Sequence, residues 1–313
     1  MRRLVALLLA ACALGLGARS PAVGAQRPAN PPHDAVTYVA LGDSFTSGPL
    51  VPNQVGTPID CARSDRNYPR LVAAALGVAE LRDVSCGSAT IDHFYEPQDG
   101  LPLGGVNPPQ FAALDAGVDV VTVGVGGNDV GYVGLALDCV RLLAPPLQPP
   151  CTPQLEADGT DAVTAKIAEV GPELGKALRD IRRLAPAAEV FVVGYPASLP
   201  DTGVACWPYV PILPRDMPYL VAKYKDMNAM LAAQAAANGA TYVDIYTPSI
   251  GHDACQLLGT AWVNGVLIVP LSFPAHPNAL SYRNSAPVIT EAIRAALGAT
   301  REGTGAERVT GGR

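Results

Sequence analysis

Four short segments hold the residue types that could carry out acyl chemistry: Gly42-Asp43-Ser44, Cys86-Gly87-Ser88-Ala89, Gly126-Gly127-Asn128-Asp129 and, far downstream, Pro274-Ala275-His276-Pro277. A serine hydroxyl is a weak nucleophile at neutral pH and needs a base within hydrogen-bond reach. The chain contains four histidines, His33, His93, His252 and His276. His33 falls in a proline-rich stretch. His276 lies just before the last helical stretch, where a loop could bring it to the sheet edge. His252, next to Asp253, is the rival base, and Ser47 is the rival nucleophile. Taken singly, a Gly-Asp-Ser or a Gly-Gly-Asn-Asp is more often an ordinary turn, and most loop histidines are not catalytic. Order and placement carry the case.

Placement depends on the elements around these segments. Short apolar runs at 36–41, 81–84, 119–125, 189–193 and 241–245 read as buried strands. Helical stretches are expected at 67–76, 160–184, 216–238 and 284–297, the first capped by Asn67. Strands alternating with long helices predict an α/β fold: a parallel sheet with helices on both faces. In such a sheet ligands bind beyond the carboxyl ends of the strands, and three of the four segments follow strands directly. Small residues there let backbone N–H groups approach a reacting atom, as an oxyanion hole requires.

The composition agrees with a packed enzyme of one domain. The chain has 313 residues, 49% of them hydrophobic, and a net charge of −6. With no basic footprint, nucleic acid is not an expected partner. There is no Gly-x-Ser-x-Gly elbow, no P-loop and no dinucleotide fingerprint. No histidine pair sits at metal-ligand spacing, so neither metal nor cofactor is expected. A monomer is expected.

Residues 1–25 read as a signal peptide: Arg2 and Arg3, an apolar run, then Val23-Gly24-Ala25 before a cut. Leu9-Ala10-Ala11-Cys12 offers the alternative of lipid attachment at Cys12. Residues 26–35 read as a linker, 36–298 as the folded domain and 299–313 as a disordered tail. Proline-rich stretches at 143–153 and 208–218 read as long loops. Past Cys12 six cysteines remain, none in a CxxC pair. In an exported chain they are expected to form disulfides, and the most economical pairing joins neighbours: Cys61–Cys86, Cys139–Cys151 and Cys206–Cys255.

The segments LGDSFTSG, SCGSAT, VGGND and AHPN, in this order, resemble the SGNH, or GDSL, hydrolases, and most nearly their exported actinobacterial esterases and lipases. The resemblance spans residues 36–297. It implies a three-layer α/β/α sandwich with a flavodoxin-like parallel sheet, and three sequential disulfides. It further implies Ser44 as nucleophile with its N–H as an oxyanion donor, the Asn128 amide as another donor, and His276 as base. Two positions depart from the family pattern. Ser88 stands where a glycine is usual, which leaves Gly87 and Ser88 as alternatives for the backbone donor. Phe273 occupies the usual position of an aspartate that orients the histidine. The main-chain carbonyl of Phe273 is therefore the expected acceptor, in a Ser-His dyad, with Asp244 and Asp253 as the competing carboxylates. The expected substrate is a small-molecule or lipid ester. The alternative, motivated by the missing aspartate, is an inactive hydrolase fold that binds a glycan or lipid at the cell surface.

Overall fold

A computed structural model describes residues 36–143, 147–155, 159, 161–265 and 271–310. The signal peptide, the lipid-attachment alternative at Cys12, the linker and His33 lie outside the described residues.

Chain order begins with β1 (Thr37–Gly42), the one-turn helix α1 (Ser44–Ser47) and a small antiparallel pair, β2 (Gln54–Val55) with β3 (Arg63–Ser64). Next come α2 (Tyr68–Leu76), β4 (Glu80–Asp83) and β5 (Val120–Gly124). Three short helices follow, α3 (Gly127–Val130), α4 (Tyr132–Asp138) and α5 (Thr152–Leu155), and then the long α6 (Ala162–Leu184). The chain closes with β6 (Glu189–Val193), α7 (Met217–Ala237), β7 (Thr241–Val243) and α8 (Ala279–Thr310).

Five strands pair in parallel in the order β4-β1-β5-β6-β7. Counting sheet strands alone, this is the 2-1-3-4-5 order of a flavodoxin-like sheet. Alternation along each strand divides the core into two layers. Val39, Leu41, Val121, Val123, Val190 and Val192 face α6 and α7, where Leu174, Leu178 and Leu231 are fully or almost fully buried. Tyr38, Ala40, Val120, Phe191 and Val193 face α2 and α8, meeting Val72, Ile289 and Ile293. The result is the expected α/β/α sandwich. Truncating a buried leucine or isoleucine in either layer costs about 2–5 kcal/mol.

The helix ends follow local chemistry. Asn67 caps α2 through its side-chain oxygen on the Arg70 N–H, and Asp161 caps α6 on Val163 and Thr164. The last helix departs from its expected bounds at both ends. It begins at Ala279 because the Asn278 side chain accepts the N–H groups of Leu280 and Ser281. It runs to Thr310, past the end at 297 that the apolar spacing predicts.

Three disulfides join Cys61 to Cys86, Cys139 to Cys151 and Cys206 to Cys255. All three clamp loops that leave the carboxyl edge of the sheet. Among the described residues no helix is long and apolar enough to cross a membrane.

Candidate active site

The Ser44 turn grows out of β1. Gly42 ends the strand with both backbone groups bonded to the Gln110 side chain, at 2.8 and 2.9 Å. A Cβ at Gly42 would lie 2.7 Å from the Gly124 carbonyl, so the close approach of β1 and β5 requires glycine there. Asp43 then caps α1 by accepting the Phe45 N–H at 2.8 Å. Ser44 is therefore the first residue of a helix, with its N–H turned out of the hydrogen-bond ladder.

His276 reaches this turn from a loop 232 residues away, its Nε2 standing 2.8 Å from Ser44 Oγ. The other ring nitrogen, Nδ1, is 2.7 Å from the Pro274 carbonyl. A carbonyl only accepts, so Nδ1 carries the proton and Nε2 is left as the acceptor for the serine hydroxyl. The ring is almost fully buried, and that burial holds its pKa below 6.5 against the opposing effect of the Pro274 contact. A neutral imidazole aimed at a serine hydroxyl can take its proton.

The orienting carbonyl belongs to Pro274, which corrects the expectation for Phe273. The Phe273 carbonyl accepts the His276 backbone N–H at 3.3 Å, closing a turn around Ala275. Ala275 has a left-handed φ of 58°, and this turn brings the next carbonyl, that of Pro274, under the ring. Phe273 instead lays its side chain edge-on to the imidazole, with centroids 5.2 Å apart.

Candidate donors lie on two further loops. Asn128, at the start of α3, gives one amide proton to the Ala89 carbonyl at 2.9 Å, which fixes the amide and leaves the second proton for the cleft. After β4, the Gly87 N–H is already committed to the Cys61 carbonyl at 3.0 Å, beside the Cys61–Cys86 bridge. Gly87 is thereby removed as a candidate donor, and Ser88 remains. Ser88 has a left-handed φ of 62°, which accounts for the usual glycine at its position. Ser44, Ser88, Asn128 and His276 line one cleft of about 600 Å³, together with His93, Gln98 and Phe273.

The rivals stand apart from the Ser44–His276 contact. Ser47 is fully buried. His252 stacks on Trp262 at 4.4 Å, with Nδ1 2.7 Å from the Thr260 carbonyl. Asp244 accepts from Tyr246 and Thr247, and Asp253 from Cys255 and Gln256.

Residues 40–283 match the GDSL-like lipase/acylhydrolase family. The chain belongs to that family. A Streptomyces coelicolor protein named Lipase 2 is 37% identical over 258 residues, covering 80% of this chain and 83% of the relative. Two solved structures share the fold over 82% of this chain and 99% of their own: phospholipase A1 from Streptomyces albidoflavus, at 25% identity with a TM-score of 0.63, and an extracellular lipase from Streptomyces rimosus, at 26% and 0.62. This GDSL hydrolase is a serine carboxylester hydrolase, and its substrate is an ester.

One residue of the hydrolase site escaped the sequence reading. Tyr195, two residues past β6, is buried and donates its hydroxyl proton to Asp43 at 2.5 Å. The signal available was placement alone, a polar ring just beyond the carboxyl end of a strand. Burial pushes the Asp43 carboxyl up to about 7, while its bonds to Tyr195 and Phe45 pull the other way.

Proposed function

We propose that this hydrolase is exported and cleaves carboxylic esters through a Ser44–His276 dyad by way of an acyl-enzyme. The observation that carries the reading is the 2.8 Å contact from Ser44 Oγ to an imidazole whose opposite nitrogen is held by a main-chain carbonyl. Ser44 Oγ attacks the ester carbon as His276 Nε2 takes its proton. The carbonyl oxygen becomes an oxyanion facing the N–H groups of Ser44 and Ser88 and the Asn128 amide. Collapse expels the alcohol, which receives the proton from His276. Water then repeats the cycle on the acyl-enzyme, giving a carboxylic acid and free Ser44.

The substrate class best supported is a lipid ester. An apolar cavity bounded by Phe45, Tyr132, Val133, Ala136, Leu137 and Ile212 adjoins the site: Phe45 follows the nucleophile, and Val133 also lines the Ser44 cleft. The Streptomyces albidoflavus relative is a phospholipase A1, which makes phospholipid the first class to assay. Export is supported by the charged and apolar N-terminal sequence, and by the extracellular relative from Streptomyces rimosus.

The test is labelling with an organophosphate, mapped by mass spectrometry, alongside turnover of p-nitrophenyl esters of increasing chain length. A single adduct on Ser44 that abolishes turnover is expected. An adduct on another residue, or turnover that survives full labelling, overturns the dyad. N-terminal sequencing of protein recovered from culture medium tests export, with a start near Gln26 expected.

A further inference from the structure

Tyr195 has a side chain that packing alone does not explain. Its ring stands edge-on to Phe45, with centroids 5.0 Å apart, and a phenylalanine would fill the same space. The buried hydroxyl is what differs, and burying a hydroxyl is costly unless both its donor and acceptor capacities are used. Here both are. The Gly127 N–H donates to Tyr195 Oη at 2.8 Å, so the hydroxyl proton must go the other way, to Asp43 Oδ2. The second carboxylate oxygen of Asp43 takes the Phe45 N–H. A continuous run of hydrogen bonds therefore joins the residues on either side of Ser44 to the residue immediately before Asn128.

We propose that Tyr195 is a positioning residue that locks the nucleophile turn to the Asn128 loop and thereby sets the spacing of the oxyanion donors. The proposal rests on the roles given above to Ser44 and Asn128. The two loops leave different strands, β1 and β5. Asn128 is tied by its own amide to a third loop, at Ala89. The Asp43 N–H and the Thr46 hydroxyl tie the serine turn to Gly124, where β5 ends, whereas the Tyr195 hydroxyl, itself anchored by β6 and by its backbone N–H on Asn228, reaches past the strand end to Gly127, beside Asn128 itself. Gly127 fits this role, because a Cβ there would lie 3.1 Å from Tyr195 Oη and press on the phenol by a few tenths of an ångström. An oxyanion hole depends on donors fixed before the charge develops. A displacement of about 1 Å at such a site is worth up to about 10² in rate.

The experiment is a double-mutant cycle of Tyr195→Phe and Asn128→Ala, with kcat and KM measured on a soluble p-nitrophenyl ester. Tyr195→Phe is expected to lower kcat about tenfold or more with KM within about twofold, since only the transition state carries the oxyanion. In the Asn128→Ala background the same change is expected to cost less than about threefold, because the donor it positions is gone. A purely structural role would instead multiply through in full. Gly127→Ala, which crowds the same hydroxyl, is expected to lower kcat in the same direction by a smaller factor, again less in the Asn128→Ala background, and serves if Tyr195→Phe does not fold. If Asn128→Ala harms kcat but Tyr195→Phe is harmless or fully multiplicative, the locking role alone is overturned. If Asn128→Ala leaves kcat unchanged, the oxyanion role falls first, and the proposal with it.

Discussion

The turn that presents Ser44 and the turn that presents His276 meet at hydrogen-bond distance, yet they are held by different chemistry. The serine turn is fixed by buried polar side chains. Gln110 grips Gly42, Asp43 caps Phe45, Tyr195 holds Asp43, and the Thr46 hydroxyl sits 3.3 Å from the Gly124 carbonyl. The histidine turn is held mostly through its own main-chain carbonyls. Asn264 N–H donates to the His276 carbonyl, the Ser272 hydroxyl to the Pro277 carbonyl, and Nδ1 to Pro274. Among the described residues of the two turns, the carboxylate, that of Asp43, lies on the serine side. Orientation comes to the base from a dipole, and a dipole stabilises imidazolium less than a full charge does.

Deleting either partner gives the largest effect. Ser44→Ala and His276→Ala are each expected to lower kcat by about 10⁴ or more with circular dichroism unchanged. His252→Ala and Ser47→Ala should keep measurable turnover. Loss of activity in one of these two, with His276→Ala or Ser44→Ala active, would move the site. Next comes Asn128→Ala, expected to cost about 10²–10³ in kcat with little change in KM.

These large effects fall on residues that were legible, and the reason is topological. Ser44 and Asn128 each follow a strongly apolar run directly, so a parallel sheet brings them to one edge without any knowledge of side-chain contacts. What was not legible depended on where single hydrogen bonds end. The choice between Gly87 and Ser88 turns on the Cys61 carbonyl, and that between Phe273 and Pro274 on a left-handed Ala275. Tyr195 meets Asp43 across 152 residues, and nothing in its neighbourhood in the chain announces a partner. The fold shows the same division. The strand at 189–193 was readable to the residue from its apolar run, whereas the two-residue strands β2 and β3 are too short to show a period.

The asymmetry also has a pH signature. With its pKa held below 6.5 by burial, His276 should place the acid limb of kcat/KM below that value, lower than for a carboxylate-supported histidine. A limb above 7 would point to a charged partner. Stability carries opposite signs on the two sides. His276 resists protonation when folded, so stability is lost as pH falls through ~6.5. Asp43 keeps its proton to about 7 when folded, whereas an unfolded aspartate ionises near ~4, so stability falls as pH rises between those values. Asp129 opposes its charge, and Tyr68, Tyr195, Tyr224 and Tyr282 lie around it. Relative to the wild type, the Tm of Asp43→Asn should be higher at pH 8 than at pH 5. A Tm difference that is the same at both pH values would mean that Asp43 is ionised throughout.

Smaller effects are expected where the base side is altered without touching its carbonyl. Phe273→Ala should retain most activity, and Asp244→Asn and Asp253→Asn should each lose less than about tenfold, since both carboxylates are occupied in capping turns. A fall of about 10⁴ in either asparagine variant, the scale of amidating a triad aspartate, would show that a carboxylate reaches His276 during turnover.

The smallest effect should come from Ser88→Gly, and it tests whether the donor after β4 is the backbone alone. Ser88 is exposed and holds a left-handed φ of 62°, a conformation that costs an ordinary L-residue roughly 1–2 kcal/mol. Glycine relieves that cost but adds freedom to the unfolded chain, worth about 0.4–1 kcal/mol in the other direction. The two nearly cancel, so Tm should stay level or rise by a few degrees. The Gly87 N–H remains on Cys61 in either variant, and the N–H of residue 88 is unchanged by the substitution. If that N–H is the donor, kcat should stay within about twofold of wild type. A drop of tenfold or more would show that the Ser88 hydroxyl takes part, and would turn the family's usual glycine position into a point where this chain has added a group of its own.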